Sequence, residues 1–393
     1  MPDRAYDFSI KIGGLDIGDT AKRHIVSLTY EENLEETAQL EFALRSSEFF
    51  VFAGLDLRLG TKVELHMGLI GDLVRVFEGE IAKLSPVFPE DDSSHLKIIC
   101  YDDSYKLKRR SKPKVFAPDE YPDLESIARW IINKHKLEPI IGVTVPVGPP
   151  SESDLAKCKI PEDRSFPQED ETDWQMLAEL AEIVNYNLFV KFGHVFLVPD
   201  SFFKSAEFHE LMDESRPFTP LRLVYYSTTD DLGDRNMAIL QTFEPEVSSD
   251  DQRISVEVIS WDSINEKGER FGKASLSQLD HKDEAYTEIT VSTQAIETLT
   301  IHEAAGSLSE ARYLARRELA RRAARLVKGE GVLANGNPFI RMGQTHEIVL
   351  RDLGPIGKQF SGEYLITAVR HEIDEEGMCR TSFDVRRDGL TKA

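Results

Sequence analysis

The chain has 393 residues, of which 41% are apolar and 30% charged, and its formal net charge is −22. This composition is typical of globular domains, and the length predicts two or three of them. The acidic balance argues against tight wrapping of DNA, because Lys and Arg must neutralise the phosphates in such a complex.

The three cysteines, Cys100, Cys158 and Cys379, lie far apart and form no CxxC pair. Their spacing argues against a disulfide framework or a zinc site and favours assembly in a reducing cytoplasm. The N-terminal residues lack the basic and apolar regions of a signal peptide, and no apolar run approaches the ~20 residues of a membrane helix. We therefore expect no membrane insertion.

Residues 1–110 alternate between apolar and polar positions. This period of two predicts half-buried antiparallel strands, and so many strands at close spacing predict a small barrel or sandwich. The predicted strands are 8–12, 40–44, 63–67, 76–81 and 96–101.

Residues 111–215 change to a mixed pattern that predicts an α+β insertion domain. A helix is predicted over 123–136, where apolar residues recur at helical spacing. A second helix begins at Thr172, which forms a capping-box pattern with Gln175. A Pro-rich loop separates the two helices, and strands over 186–190 and 195–198 follow.

Alternation returns in residues 216–393, which are predicted to form a second β-domain. Its predicted strands are 223–226, 239–243, 254–259, 346–350, 363–369 and 381–385. An amphipathic helix over about 307–327 interrupts them, with an apolar stripe, many arginines, and Gly329 and Gly331 at its end.

One short sequence motif occurs in both β-domains. Arg58-Leu59-Gly60 aligns with Arg341-Met342-Gly343. A Gly-Glu pair begins 19 residues after each glycine, at Gly79 and Gly362. We interpret this as a duplicated β-module. In this interpretation 26–34 corresponds to 243–248, 40–44 to 256–261, and 96–101 to 381–385, and the long helix lies between the second and third strands of the second copy.

The duplication predicts a particular assembly. A trimer of a duplicated module presents six similar faces, and closed cyclic symmetry is the common way to build rings. A pseudo-sixfold ring of this kind suits a protein that joins a threefold object to a sixfold one.

No catalytic, metal or cofactor site is predicted. The His-Glu dipeptides at His209, His302, His346 and His371 do not continue to a second histidine, so no zincin helix exists. We expect His346 and His371 to be half-exposed strand residues. The Gly-Lys pairs at Gly272 and Gly357 lack the spacing and the Ser or Thr of a phosphate loop, and no Gly-x-Ser-x-Gly elbow is present.

The segment 106–114 is strongly basic. It fits either a solvated linker that leaves the first β-domain or a patch that binds a partner. The linker is the preferred interpretation, and a protein contact is preferred to a nucleic-acid contact, because few aromatic residues are interleaved for base stacking.

Several short sequence motifs, taken in chain order, resemble those of a known family. They are 76–81 (VFEGEI), 101–107 (YDDSYKL), 172–181 (TDWQMLAELA), 256–262 (VEVISWD), and 362–366 (GEYLI) running into 369–371 (VRH). Together they resemble the phage late control gene D protein family, the baseplate hub of contractile tails. They are also similar to the N-terminal hub region of VgrG spike proteins.

The resemblance implies a homotrimer with two tube-type β-barrel domains per chain, and a virion location in the tail baseplate after assembly in the bacterial host cytoplasm. The implied partners are the hexameric tail tube protein, a trimeric spike or needle protein, and the baseplate wedge and tape-measure proteins. Sequence-specific nucleic acid binding is not implied. We expect the spike to be a separate protein, because no needle region follows the second β-domain.

Two alternatives stay open at this level. The chain fits the hub or spike base of a type VI or extracellular contractile injection system, which shares the fold. A tail-tip cell-wall hydrolase is the alternative of another class, and it requires two acidic residues placed across a cleft. Because no such pair is recognisable, we expect a structural protein and not an enzyme.

Overall fold

A computed structural model describes residues 6–17, 22–45, 57–90, 94–109, 111–142, 165–212, 218–225, 236–247, 255–261, 269–275, 298–302 and 308–390. Cys158 and the Pro-rich loop lie outside these residues. The chain divides into two compact units. Unit 1 comprises Met1–Thr219, Leu333–Gln344 and Thr367–Phe383, and unit 2 comprises Pro220–Val332, Thr345–Ile366 and Asp384–Ala393.

Unit 1 begins with the strands predicted from alternation. They are β1 (Tyr6–Ile12), β2 (Leu15–Asp16), β3 (Ile25–Asn33), β4 (Gln39–Arg45), β5 (Lys62–Leu69), β6 (Asp72–Val87) and β7 (His95–Tyr101). Their order in the sheet is β3-β4-β7-β6-β5-β1-β2. Each of these pairs is antiparallel.

The alternating residues of these strands form the core of the first barrel. In β5, for example, Val63, Leu65 and Met67 are buried while the residues between them are partly exposed. The same parity in β3 buries Leu28, Tyr30 and Glu32, so a carboxylate lies on the apolar face. That exception positions the site described below.

The insertion domain also belongs to unit 1 and has its own core. Its elements are α1 (Ser104–Leu107), β8 (Lys114–Phe116), α2 (Leu124–Lys134), β9 (Glu138–Ile141), β10 (Phe166–Gln168), α3 (Asp173–Val184), β11 (Asn187–Lys191), β12 (His194–Val198), a 3₁₀ turn (Asp200–Lys204) and α4 (Ala206–Met212). The predicted capping box of Thr172 and Gln175 is confirmed, and Asp123 and Ser126 form another at α2.

Unit 2 contains most of the second β-domain. The remaining elements are β13 (Arg222–Tyr225), β14 (Met237–Val247), β15 (Ser255–Trp261), β16 (Glu269–Ser275), β17 (Leu299–His302), α5 (Leu308–Ala323), β18 (Val327–Leu333), β19 (Thr345–Leu350), α6 (Gly354–Phe360), β20 (Gly362–Ile373) and β21 (Cys379–Arg387). The order β19-β13-β14-β18-β21-β20 closes through a β19–β20 pairing into a six-stranded barrel.

The two β-domains share one topology. Strands β3, β4, β5, β6 and β7 recur as β14, β18, β19, β20 and β21, with the same order along the chain and the same order in the sheet. The sixth strand differs, because β1 is antiparallel to β5 whereas β13 is parallel to β19. The mainly β fold with an α+β insertion is therefore confirmed, with one reversed strand in the second barrel.

One predicted correspondence is wrong. The counterpart of 40–44 is β18, and the segment 256–261 lies in β15, which forms a separate sheet with β16 and β17. Both segments alternate, so the local pattern could not tell them apart. The long helix α5 ends at Ala323, earlier than predicted, and it precedes β18, so it lies one strand earlier in the second copy than predicted.

Candidate assembly site

The repeated motif forms the same turn in both copies. We call residues 57–61 the open loop and residues 340–344 the covered loop. In the open loop Thr61 N donates to Arg58 O at 3.2 Å, and Gly60 has φ +84°. In the covered loop Gln344 N donates to Arg341 O at 3.3 Å, and Gly343 has φ +80°. A glycine with positive φ at the third position is the requirement of a type II turn.

The surroundings of the two turns differ. Leu59 is 66% exposed at the tip of the open loop, whereas its counterpart Met342 is 3% exposed. A Cβ added at Gly60 would meet no atom within 4 Å. A Cβ added at Gly343 would lie 2.5 Å from Phe208 and 2.9 Å from Phe203. The end of the insertion domain therefore covers one turn of the repeat and leaves the other open.

A buried ion pair holds the covered loop. Glu32 Oε1 accepts a hydrogen bond from Met342 N at 2.8 Å, and its other oxygen pairs with the ammonium of Lys191 from the end of β11. Lys191 Nζ also donates to the Tyr30 hydroxyl at 2.6 Å and to Val76 O at 2.8 Å. All three ammonium protons thus have acceptors, which is the condition for burying such a charge.

The charges in this cluster set the pKa values of its members. Burial alone raises the pKa of Glu32, but the charges of Lys191 and Arg341 outweigh it and bring that pKa to about 2. Burial lowers the pKa of Lys191, and Glu32 opposes that change. Burial and the Glu32 charge raise the pKa of Tyr30, so its hydroxyl stays protonated. The cluster is therefore an ion pair with a neutral phenol.

A second network fixes the residues just before the covered loop. His371 Nε2 lies 3.1 Å from Ile340 O, so this nitrogen carries the proton and donates it. Thr381 Oγ1 lies 2.9 Å from His371 Nδ1 and accepts from Asn337 N at 2.9 Å. Burial lowers the pKa of His371 to about 4. The imidazole is therefore neutral near pH 7 and serves as a structural link.

The expectation for two histidines was wrong. His346 and His371 are not half-exposed but 1% and 0% exposed. Leu221 N donates to His346 Nδ1 at 3.0 Å within unit 2. The parity of β20 carries the missed signal, because Val369, His371 and Ile373 alternate onto one buried face. Lys191 had no such signal, since a lysine at a strand end usually lies in solvent.

The open loop borders a hollow of ≈ 660 Å³ in unit 1. Among its described lining residues, three side chains are basic and one is acidic, and Lys11 Nζ lies 3.7 Å from Glu64 Oε2. The lining residues are Lys11, Gly13, Gly14, Arg58, Leu59, Gly60, Thr61, Lys62 and Glu64. The hollow is thus a basic surface beside an exposed leucine on an acidic chain.

The basic segment 106–114 packs against aromatic rings of unit 1. Lys108 Nζ lies 4.7 Å from the ring centre of Trp174, and Lys114 Nζ lies 4.3 Å from that of Trp130. Lys106 Nζ pairs with Glu80 at 2.8 Å. These contacts attach the segment to the insertion domain and to β6. The three lysines are partly buried, so the segment is held against the fold where the preferred interpretation expects a solvated linker.

Two kinds of site are absent from the described part of the chain. Within it, no group of three or more His, Cys, Asp or Glu side chains is placed to hold a metal ion. Across the same residues, no helix combines the length and the apolar character needed to cross a membrane.

No protein-family model matches the chain, and no curated protein matches its sequence. Solved structures do match its fold. The tail protein from Neisseria meningitidis MC58 superposes with a TM-score of 0.62 at 13% identity, over 98% of both chains. The prophage MuSo2 43 kDa tail protein from Shewanella oneidensis gives 0.60 at 15%, over 98% of this chain and 100% of that one.

A third match is a component of the E. coli type VI secretion system, with a TM-score of 0.51 at 10% identity, over 98% of this chain and 79% of that one. That protein is described as structurally similar to T4 bacteriophage tail proteins. The chain therefore has the fold shared by these tail proteins and this type VI secretion component.

Proposed function

We propose that this protein is the structural baseplate hub of a contractile phage tail. In this proposal a homotrimer adapts the sixfold tail tube to a threefold central spike and lines the channel between them. The observation that carries it is the recurrence of one five-strand order twice in a single chain. Three chains then supply six similar barrels.

The proposal assigns a part to each segment. Residues 1–110 and 216–393 are the two tube-type domains of the ring wall, and residues 111–215 are the insertion. The tail tube and spike proteins are direct partners, with the wedge and tape-measure proteins around them, in the virion baseplate. The role is non-enzymatic, which the fold of known tail proteins supports.

A contractile injection system is the second candidate. The likeness to a type VI secretion component supports it, but that match has a TM-score of 0.51 against 0.62 for a tail protein, and it leaves part of the other chain uncovered. We therefore place the phage tail first.

Light scattering on the purified chain tests the proposal. The expected mass is three times 44.5 kDa for the chain alone, or that mass plus the mass of the spike after the spike protein from the same genome is added. A chain that stays monomeric with both the spike and the tube proteins contradicts the hub role. Electron microscopy of the trimer should then show a ring with six similar lobes.

A further inference from the structure

The insertion domain makes the two halves of the repeat unequal, and this has a consequence for symmetry. Each chain has two copies of the turn but only one insertion, which covers the turn at Gly343 and leaves the turn at Gly60 open. In the trimer of the proposed function, on which this inference rests, three insertions cover three of six turns. The other three turns are covered by no insertion and are related by threefold symmetry only.

We propose that the open loop and its hollow bind the threefold spike. A sixfold partner needs six equivalent contacts, and the turn cannot supply them because its second copy is buried. A threefold partner needs three, and the open loops supply that number. The buried ion pair of Glu32 and Lys191 thus holds the second copy of the turn in its covered position. As a result, each chain offers only one copy of the turn for contact.

The chemistry of the hollow defines its occupant. Among its described lining residues, Lys11, Arg58 and Lys62 are basic and Glu64 is acidic. Leu59 stands beside them, 66% exposed. The occupant is therefore a spike segment that carries carboxylates next to an apolar side chain. A central apolar anchor with a charged rim is the usual anatomy of such interfaces.

The chain provides a matched control at the other end of the same strand. β5 begins at Lys62 next to the open loop and ends at Leu69, where Ile70 and Gly71 turn into β6. Ile70 is 69% exposed, close to the value for Leu59. The two ends of this eight-residue strand are seven residue steps apart, which is about 23 Å at about 3.3 Å per residue. Ile70→Asp therefore repeats the chemistry of Leu59→Asp away from the hollow.

The test compares wild type, Leu59→Asp and Ile70→Asp in binding to immobilised spike protein from the same genome. Leu59→Asp should weaken spike binding at least tenfold, while its trimer mass and tube binding stay those of wild type. Ile70→Asp should bind the spike within about twofold of wild type. Lys62→Glu reverses a charge at an exposed strand position and should also weaken spike binding. Added salt should weaken the binding of this variant no more steeply than it weakens that of wild type.

The outcomes separate this inference from the function it rests on. If Leu59→Asp binds the spike as wild type does, or if Ile70→Asp loses as much affinity, the open loop is not the spike contact. If Leu59→Asp instead loses the trimer or the tube, the loop belongs to another interface and the inference fails. A wild-type trimer that binds both the tube and the spike, with Leu59→Asp binding the spike equally well, overturns the inference alone. A wild-type chain that does not bind the spike, or that forms no trimer with either partner, overturns the proposed function as well.

Discussion

The open loop and the covered loop form the same turn, but the first is exposed and the second is buried. Their sequences match at the arginine and the glycine, their glycine φ angles differ by a few degrees, and the same backbone hydrogen bond closes each. What differs is the neighbour, since Phe203 and Phe208 lie against Gly343 while a Cβ added at Gly60 would meet no atom within 4 Å. The comparison shows that a duplicated module diverges by what packs on it, while its backbone is retained.

The largest expected effect is the loss of the ion pair that secures the covered loop. Lys191→Met keeps most of the side-chain volume but leaves the carboxylate of Glu32 buried without its cation. We expect a loss of about 3–5 kcal/mol in the free energy of unfolding, measured by urea denaturation. Lys11→Met, a partly exposed lysine beside the open loop, should change stability by less than about 0.5 kcal/mol.

The partner variant refines this prediction. Glu32→Gln removes the charge but retains an acceptor for Met342 N, and the double variant Lys191→Met with Glu32→Gln leaves no buried charge at the site. The double variant should be more stable than Lys191→Met alone, because an unpaired buried charge is costlier than none. Additive losses would show that the two side chains are not coupled.

Much of this comparison was readable in the sequence, because it depends on local rules. The alternation of β5, the capping box at Thr172 and the glycine of each turn all follow from short-range chemistry. The burial of Glu32 was also readable, since it shares the parity of Leu28 and Tyr30. A carboxylate on that face signals a buried partner.

The remaining features depend on contacts distant in sequence. Lys191 meets Glu32 across 159 positions, and nothing in the residues around Lys191 indicates that partner. The assignment of β18 as the counterpart of β4 likewise required the sheet order, because β15 has the same local pattern. Which of two equal turns is covered depends on where the insertion packs, and no local rule contains that information.

The second prediction concerns Gly343. Gly343→Ala places a Cβ 2.5 Å from Phe208 and forces a non-glycine residue into positive φ. Left-handed backbone costs about 1–2 kcal/mol and overpacking about 1–3 kcal/mol, so we expect a loss of about 2–5 kcal/mol. Thermal unfolding monitored by circular dichroism measures it. A loss under about 1 kcal/mol would mean that the two phenylalanines move aside freely.

The third prediction is a pH dependence from His371. Its pKa is about 4 in the folded chain and about 6.5 in the unfolded chain, so the unfolded state binds more protons in this interval. Stability from this group is therefore complete above pH 6.5 and is lost as the pH falls toward 4. Between pH 7 and pH 5 the loss due to His371 is about 2 kcal/mol.

Asp102 acts in the opposite direction, so a variant must isolate the histidine. Burial raises the pKa of Asp102 to about 6, and its contribution to stability grows as the pH falls from 6 toward 4. His371→Gln keeps hydrogen-bonding capacity without the titration. Its change in stability between pH 7 and pH 5 should be about 2 kcal/mol more favourable than that of wild type. Equal changes in wild type and in His371→Gln would mean that the imidazole of His371 is already charged in the folded protein at pH 5.

The smallest expected effect is at Gly60, and it returns to the two turns. Gly60→Ala meets no atom within 4 Å, so only the positive φ of +84° opposes it. The left-handed backbone costs about 1–2 kcal/mol, and the loss of chain entropy in the unfolded state offsets part of it, so the expected loss is about 1 kcal/mol. The difference between Gly343→Ala and Gly60→Ala then measures the contact with the insertion itself, because the turn is common to both. If the two losses were equal, the backbone alone would account for them, and the covering of the second turn would contribute nothing to the stability of the fold.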